Sequence, residues 1–197
     1  MGTATLPAMD LARMVDDVAT LHLESERLLL RRFRPDDLST AVEHEQDPRI
    51  MRYVREIEPV EASRARVEGF LAPWRGGDGA WISLAVTKHD DPRMLGMLSF
   101  RITLIANQTV EIGYRLHPDA QRQGIGFEAC QRLLTWMFRR VGVRKVIAHC
   151  VPENVASYRL MEKLGMQREG VLRQFSRLND EWIDEYLYGL LAHEWRG

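Results

Sequence analysis

A glycine-containing turn joins an alternating apolar segment to an amphipathic helical segment beyond the middle of this chain. Before the turn, Ile112, Tyr114 and Leu116 alternate with other residues, and this period of two predicts a strand. After the turn, apolar residues recur at helical spacing over Cys130–Val141. The connecting residues are Gln121-Arg122-Gln123-Gly124-Ile125-Gly126. The pattern predicts a strand, a tight turn and a helix, a connection typical of α/β proteins.

The turn has the composition of a phosphate-binding cradle. Glycine lets the backbone approach a ligand closely, and the free N–H groups and positive dipole end of a helix N-terminus favour a phosphate. The turn lacks the Lys-Ser/Thr ending of a nucleoside triphosphate loop and the three-glycine spacing of a dinucleotide fingerprint. The glycines alone leave two interpretations open, an anion cradle or a structural helix entry.

The turn resembles the pyrophosphate loop of the GCN5-related N-acetyltransferases (GNAT), whose pattern is Gln/Arg-x-x-Gly-x-Gly/Ala. Gln121, Gly124 and Gly126 fill its three specified positions. Other segments are similar, in the same order, to the RimJ/RimL-like branch, which acetylates alanine and serine N-termini of ribosomal proteins. These segments are Glu24–Arg31, Glu111–Pro118, Pro152–Ser157, Glu162–Met166 and Asp184–Trp195.

This resemblance implies an α/β GNAT fold, with a mixed, mostly antiparallel sheet of six to seven strands flanked by about four helices. Residues 23–197 are expected to form a single N-acetyltransferase domain, which a chain of 197 residues can accommodate. Residues 1–22 are an N-terminal extension. Within it, Leu11, Met14, Val15 and Val18 have the spacing of a short amphipathic helix.

Composition excludes several other classes of protein. A net charge of −1 and the lack of a basic run argue against nucleic-acid binding. No apolar run reaches the roughly 20 residues that span a bilayer, so we expect a cytoplasmic protein without a membrane partner. The six histidines lack the spacing of a zinc pair, and we predict no metal. Cys130 and Cys150 are interpreted as buried free thiols.

The resemblance implies acetyl-coenzyme A as the acyl donor and assigns residues to it. The diphosphate would lie on the backbone amides of the turn, and the pantetheine arm would pair with the end of the preceding strand, where a backbone N–H can also serve the oxyanion. Asn154 has two compatible roles, as a helix N-cap and as a pantetheine contact. The Arg122 side chain either contacts phosphate or is solvated. The coenzyme residues are Leu116, His117, Gln121, Arg122, Gln123, Gly124, Ile125, Gly126, Phe127 and Asn154.

Acetyl transfer requires an amine that loses a proton and a thiolate that gains one. Glu111 is the candidate base, and the alternative is that it only pairs with a cation at the rim of the sheet. Ser157 either reaches the coenzyme sulfur or completes a helix cap. Met161 stands where many relatives carry a tyrosine that protonates the thiolate. Ser157, Tyr158 or a water would replace it, or the thiolate leaves unassisted.

We therefore expect an acyltransferase that moves acetyl from acetyl-coenzyme A to a protein N-terminal α-amino group by direct transfer in a ternary complex. Two alternatives remain open: a small-molecule acceptor such as a polyamine, antibiotic or amino acid, or a non-catalytic acyl-coenzyme A sensor. Succinyl-coenzyme A is another possible donor, and the family suggests a homodimer. The acceptor pocket is expected between the first two helices, their connecting loop and the final hairpin.

Overall fold

The computed structural model describes residues 9–197, and its centre is one eight-stranded mixed sheet. The strand order is β1-β2-β3-β4-β5-β6-β8-β7, and neighbours are antiparallel except for the parallel pair β5 and β6. The strands are β1 (His22–Glu24), β2 (Leu28–Arg32), β3 (Ile82–Lys88), β4 (Gly96–Leu104), β5 (Thr109–Leu116), β6 (Lys145–Cys150), β7 (Gln167–Leu178) and β8 (Glu181–Leu191).

Six α-helices are found in the described residues. The longest, α5, continues into a π-helical turn at Trp136–Val141. Short 3₁₀ turns lie at Pro35–Asp37, Ile105–Asn107 and Pro118–Ala120. The helices are α1 (Leu11–Ala19), α2 (Leu38–Gln46), α3 (Pro48–Met51), α4 (Val60–Gly69), α5 (Ile125–Thr135) and α6 (Val155–Lys163).

The two faces of the sheet bury separate apolar clusters. The larger cluster includes residues of α1, α5 and α6 and the inward-facing residues of the central strands. The smaller cluster joins α2 and α4 to the opposite face, through residues such as Val42, Val67, Ala85 and Met97. Strand alternation assigns each side chain of β5 to one face or the other. The helices and the sheet therefore form three layers, with β5 and β6 in the interior of the sheet.

The expected GNAT fold is confirmed, with small corrections to the counts. There are eight strands because His22–Glu24 pairs with β2 as a three-residue edge strand, too short to show an alternating pattern. The sequence pattern of residues 60–74 predicts a helix, but α4 ends at Gly69. Trp74 lies instead in the larger core, where its ring meets Phe100 edge-on at 5.6 Å and its indole N–H donates to Ala80 O at 2.9 Å.

The helix expected in the N-terminal extension is confirmed as α1. Asp10 caps it by accepting from the Arg13 N–H at 2.9 Å, and Met14 and Val18 are buried in the larger core. Residues 1–8 of the extension lie outside the described residues. From residue 9 onward, no helix has the length and apolar character needed to cross a membrane.

Candidate active site

The sheet opens between its two parallel strands. β5 and β6 pair only from Thr109 opposite Lys145 to Glu111 opposite Ile147, although both strands continue beyond that point. The odd-numbered residues of β5 bond to β4, so alternation directs the backbone N–H and C=O of Tyr114 toward β6. The opening therefore presents strand backbone that an extended ligand can pair with.

A partly buried tyrosine reaches from β5 across the opening to the first turn of α6. The Tyr114 hydroxyl lies 3.1 Å from Ser157 O and 3.0 Å from Ser157 Oγ. Burial raises the pKa of the Tyr114 phenol well above its ordinary value, so the hydroxyl stays protonated. The predicted cap is confirmed, because Asn154 Oδ1 accepts from the Ser157 N–H at 3.2 Å. The N-terminus of α6 is thus fixed at the edge of the opening.

The glycine turn leads directly from the end of β5 into α5. Gly124 is the N-cap residue, with φ 77°, and Arg122 also has a left-handed φ of 59°. The first intrahelical bond runs from the Glu128 N–H to Gly124 O at 3.0 Å. The N–H groups of the first helical turn, from Ile125 to Phe127, therefore have no intrahelical acceptor.

Gly126 allows α5 to lie close to the neighbouring elements. A Cβ at this position would stand 3.3 Å from a methyl carbon of Leu116 and 3.4 Å from one of Leu160. These distances are at or near the lower limit of ordinary side-chain contacts, so the absence of a Cβ brings the first turn of α5 against the end of β5. The free amides are consequently placed beside the opening.

The predicted loop glutamines hold the turn through hydrogen bonds within the chain. Gln121 Nε2 donates to Leu116 O at 3.1 Å, and Gln123 Nε2 donates to Asp119 O. Arg27 Nη1 donates to Gln123 O at 3.1 Å. These bonds brace the turn from both sides and leave its helical amides directed outward. The Arg122 side chain is exposed.

An acid in the first turn of α5 is neutralised by the segment between β1 and β2. Glu128 accepts from the Arg27 side chain at 2.7 Å and from the Ser25 hydroxyl at 2.8 Å. Partial burial favours the protonated acid, but these hydrogen bonds outweigh burial and hold the pKa of Glu128 below its ordinary value. The Glu128 carboxylate is thus paired with Arg27, so no unpaired negative charge from Glu128 remains beside the N-terminus of α5.

His117 does not offer the free backbone N–H that the sequence analysis assigned to the end of β5. Its N–H donates to Leu95 O at 2.8 Å, because His117 continues the β4–β5 ladder. The C=O of the preceding residue, Leu116, accepts from Gln121. The free backbone groups of β5 lie instead around Tyr114, where pairing with β6 has stopped. We therefore expect the pantetheine contact and the oxyanion-stabilising N–H there and not at His117.

The imidazole of His117 stacks on a buried histidine of α2, His44, with ring centroids 5.4 Å apart. Burial lowers the pKa of His44 from 6.5 to about 4, and the nearby charges of His117 and Arg115 act in the same direction. Above pH 6.5 the residue is neutral in both the folded and unfolded states. Between pH 6.5 and 4 only the unfolded state gains the proton, so stability falls as the pH falls.

We expect His44→Gln to remove part of this acid sensitivity. From the folded and unfolded pKa values of His44, we expect its contribution to lower the wild-type unfolding free energy by on the order of 2 kcal/mol when the pH falls from 7 to 4.5. Urea unfolding at both pH values measures the loss. His193→Gln, at an exposed position, is the matched control and should keep the wild-type pH dependence. Equal acid sensitivity in both variants would contradict the assignment to His44.

Glu111 lies within the sheet, where β5 pairs with both β4 and β6, and its side chain forms an ion pair. Its Oε2 accepts from Arg101 Nε at 2.8 Å and lies 2.7 Å from Arg101 Nη2. The Arg101 guanidinium in turn lies over the Trp81 ring, 4.9 Å from the ring centre. Among the described residues, Oε1 receives no hydrogen bond. Both roles predicted for Glu111 are compatible with this geometry, since one oxygen is paired and the other is free.

A histidine on β6 faces the same side of the opening, and the sequence analysis missed it. The register of Glu111 with Ile147 places His149 on the face of Gly113. His149 Nδ1 lies 3.2 Å from Glu185 Oε2, and the Phe175 ring stacks on the imidazole at 5.6 Å. The neighbouring His149 imidazole holds the pKa of Glu185 below its ordinary value. His149 and Glu185 come together through the pairing of β6 with β8, so no local sequence motif predicts this dyad.

A cavity of about 420 Å³ lies on the α4 side of the sheet and reaches the opening. We call it the acceptor cavity. Small residues form its floor, including Ser83, Ser99 and Gly113, and Trp81 and Phe70 form apolar walls. The α3–α4 loop and α4 border it, in agreement with part of the predicted pocket. The final hairpin instead meets that loop farther out, where the Asp180 N–H donates to Glu56 Oε1 at 3.2 Å.

The remaining reactive side chains do not form a second site. Cys130 and Cys150 are separate buried thiols, and burial raises the pKa of Cys150 to about 11. Such thiols are poor nucleophiles, because the thiolate is the reactive form. Within residues 9–197, no group of three or more His, Cys, Asp or Glu side chains is arranged to hold a metal ion.

Known proteins are similar to this chain in fold and in sequence. A family model described as an acetyltransferase (GNAT) domain matches residues 27–167. The uncharacterized N-acetyltransferase YnaD of Bacillus subtilis strain 168 is 34% identical over 176 residues, covering 89% of this chain and 99% of that protein. A GNAT-family acetyltransferase structure from Bacillus anthracis has a TM-score of 0.78 and 31% identity, covering 88% of this chain and 100% of that one. RimL, a ribosomal L7/L12 α-N-protein acetyltransferase in complex with coenzyme A, has a TM-score of 0.75 and 24% identity, covering 86% of this chain and 97% of that one. With the family model matching well over half of its length, the chain belongs to the GNAT acetyltransferases.

Proposed function

We propose that this protein transfers an acetyl group from acetyl-coenzyme A to a primary α-amino group, by direct attack in a ternary complex. The observation that carries the proposal is that β5 borders the opening toward β6 and then leads into the glycine turn. At one end, strand backbone around Tyr114 is free to pair. At the other, the free amides of α5 face an anion. A pantetheine arm ending in a diphosphate has matching chemistry.

Residues of this chain fit the coenzyme at both ends. The amides of Ile125, Gly126 and Phe127 would hold the diphosphate, and Arg122 is exposed beside them. The Asn154 side chain uses its oxygen for the helix cap, so its amide N–H₂ is available to the pantetheine arm. When bound, the coenzyme supplies the thioester and a thiolate leaving group.

Ser157 is the proposed donor of the proton to the departing thiolate. Tyr114 donates its hydrogen to the Ser157 carbonyl or hydroxyl oxygen, and the first choice leaves the serine hydrogen free to point into the opening. Met161 is buried in the core and has no donor. Because a thiol has a pKa of about 8.5, its thiolate needs less assistance than an alkoxide would.

Glu111 is the proposed acceptor of the proton from the amine, directly or through a water. An α-amino group has a pKa of roughly 8, so much of the substrate is protonated at neutral pH. We expect Glu111→Gln to lower kcat/KM at pH 7 by about 100-fold or more, the range of a general base, with an unchanged Kd for acetyl-coenzyme A. Thiol release and calorimetric titration measure the two quantities.

Arg101→Gln is the matched control for this prediction. It breaks the same ion pair but keeps the Glu111 carboxylate. An equal loss in both variants would mean that the pair has only a structural role. His149→Gln tests the competing base, since the Glu185–His149 dyad faces the same side of the opening. If kcat/KM falls further in His149→Gln than in Glu111→Gln, His149 would replace Glu111 as the proposed acceptor of the amine proton.

The proposed acceptor is a protein N-terminus, in agreement with the description of RimL as an α-N-protein acetyltransferase. The size of the acceptor cavity, about 420 Å³, favours a small-molecule amine as the second candidate, because this volume lies in the range of small-ligand sites. Both candidates use the same coenzyme site.

Titration with acetyl-coenzyme A, succinyl-coenzyme A and coenzyme A tests the donor, and thiol release with N-terminal Ala and Ser peptides and small amines tests the acceptor. Micromolar donor binding with thiol release supports the transferase. Binding without thiol release across the full amine panel would favour a sensor. No binding of any of the three coenzymes would overturn the proposal.

A further inference from the structure

Three arginines surround one fully buried carboxylate beside the acceptor cavity. Glu45 on α2 is only 1% exposed. Its Oε1 pairs with Arg115 Nη2 and lies 3.5 Å from Arg55 Nη2, and its Oε2 lies 3.1 Å from Arg66 Nη1. All three arginines also line the cavity. Three cations therefore line one wall of the cavity.

The nearby acids do not balance this positive charge. The only other acid that pairs with one of these arginines, among the described residues, is Glu58, which pairs with Arg66 and has a side chain that is 41% exposed. Three cations thus face two carboxylates, one of them partly in solvent. Burial lowers the pKa of Arg55 and Arg115, yet a guanidinium remains charged in proteins. The wall keeps one excess positive charge.

Two donors of this cluster are also unpaired. The Nε atoms of Arg55 and Arg115 are buried and have no hydrogen-bond partner in the part of the chain that the structure describes. Buried N–H groups are nearly always bonded, more so when they carry charge. Arg115 is itself more than nine-tenths buried. The cluster therefore has both the charge and the donors to bind an anion.

The cluster lies next to the proposed reaction centre. Gly113 and Tyr114 belong to both the opening and the cavity lining, and Arg115 follows them in β5. An amine presented at the opening would place the groups on its neighbouring carbons against this wall. The apolar faces of Phe70 and Trp81 complete the cavity and suit the rest of a small acceptor.

We propose that the acceptor cavity contains an anion subsite formed by Arg55, Arg66 and Arg115, and that the acceptor carries a carboxylate close to its α-amino group. The inference rests on the proposed function, whose acceptor it specifies. Two sources share this chemistry: the α-carboxylate of a free amino acid, or an acidic side chain at the second position of a peptide. Polyamines and aminoglycosides are disfavoured, because like charges repel at the wall.

Matched acceptors test the subsite through thiol release. The panel contains free amino acids and their amides, Ala-Glu and Ala-Gln peptides with blocked C-termini, and spermidine. We expect each carboxylate-bearing member to exceed its amide partner in kcat/KM by about 10-fold or more, the effect of a charged hydrogen bond. The amide of an amino acid has the less basic and more often neutral amine, so this bias works against the expected result. The free acids and Ala-Glu distinguish the two sources.

Arg55→Gln links any preference to the cluster. Arg55 is chosen because its side chain is 34% exposed and its contact with Glu45 is long, so its removal should leave the fold intact. We expect the acid-to-amide ratio to fall toward one, with an unchanged Kd for acetyl-coenzyme A. Arg52→Gln, at an exposed position three residues earlier, should keep the wild-type ratio.

A binding measurement keeps the test independent of turnover. N-acetyl amino acids and their N-acetyl amides, titrated into the protein saturated with coenzyme A, should show the same preference for the anion. Equal binding of acid and amide, an unchanged ratio in Arg55→Gln, or preferred transfer to spermidine would each overturn the subsite. Failure of coenzyme binding in the wild type would instead overturn the proposed function.

Discussion

Replacing Gly124 with glutamate is expected to abolish coenzyme binding. Gly124 has φ 77°, a left-handed conformation that costs other residues about 1–2 kcal/mol. A Cβ there would also stand 3.3 Å from the Arg27 guanidinium, which braces the turn. The new carboxylate would lie beside the amides proposed to hold the diphosphate, and like charges this close cost several kcal/mol. We expect Kd for acetyl-coenzyme A to rise at least about 100-fold in calorimetric titration.

Gly79→Glu is the control that separates the effect of backbone strain from the loss of the proposed phosphate-binding turn. Gly79 has nearly the same φ, 76°, but its added Cβ would meet nothing within 4 Å. This variant carries the same new charge and similar strain at an exposed bend before β3, and we expect wild-type coenzyme affinity. If Gly124→Glu also binds with wild-type affinity while remaining folded, the turn is only a structural helix entry.

The elements that depend on local patterns could be predicted closely from the sequence. Alternation predicts a strand over Lys145–Cys150, and the turn residues Asn179-Asp180 predict a hairpin; the structure confirms both, because these signals are local. The cap at Asn154 is similarly local. The end of α4 at Gly69 was not predicted, because core packing of Trp74 decides where the chain leaves the helix.

The geometry of the candidate site depends on contacts between distant residues, which one sequence does not reveal. The opening exists because β5 and β6 stop pairing after Glu111, and no residue type marks that point. The Glu185–His149 dyad and the Glu45–Arg115 pair each join positions far apart in the chain. Composition at those positions resembles solvated charge, so only tertiary structure shows that the groups are buried together.

The buried carboxylate of Glu45 provides the second large expected effect. Replacing it with glutamine would leave Arg55, Arg66 and Arg115 without their shared counter-charge in a desolvated wall. Removing one partner of a buried ion pair costs roughly 3–5 kcal/mol, because the remaining charge stays buried and uncompensated. We expect Glu45→Gln to lower the unfolding free energy by about that amount in urea titration at pH 7.

Glu58→Gln is the matched control for this stability prediction, since it removes an acid from the same arginine cluster. The Glu58 side chain is 41% exposed and, within residues 9–197, pairs only with Arg66, so water compensates for most of its loss. Exposed pairs of this kind contribute about 0–1 kcal/mol. A similar small loss in both variants would show that water reaches Glu45, and the cluster would then lack the desolvated charge on which the anion subsite depends. If only Glu45→Gln lowers the unfolding free energy by several kcal/mol, Glu45 and the three arginines form one buried network. The carboxylate then stabilises the fold through the same arginines that are proposed to bind the acceptor.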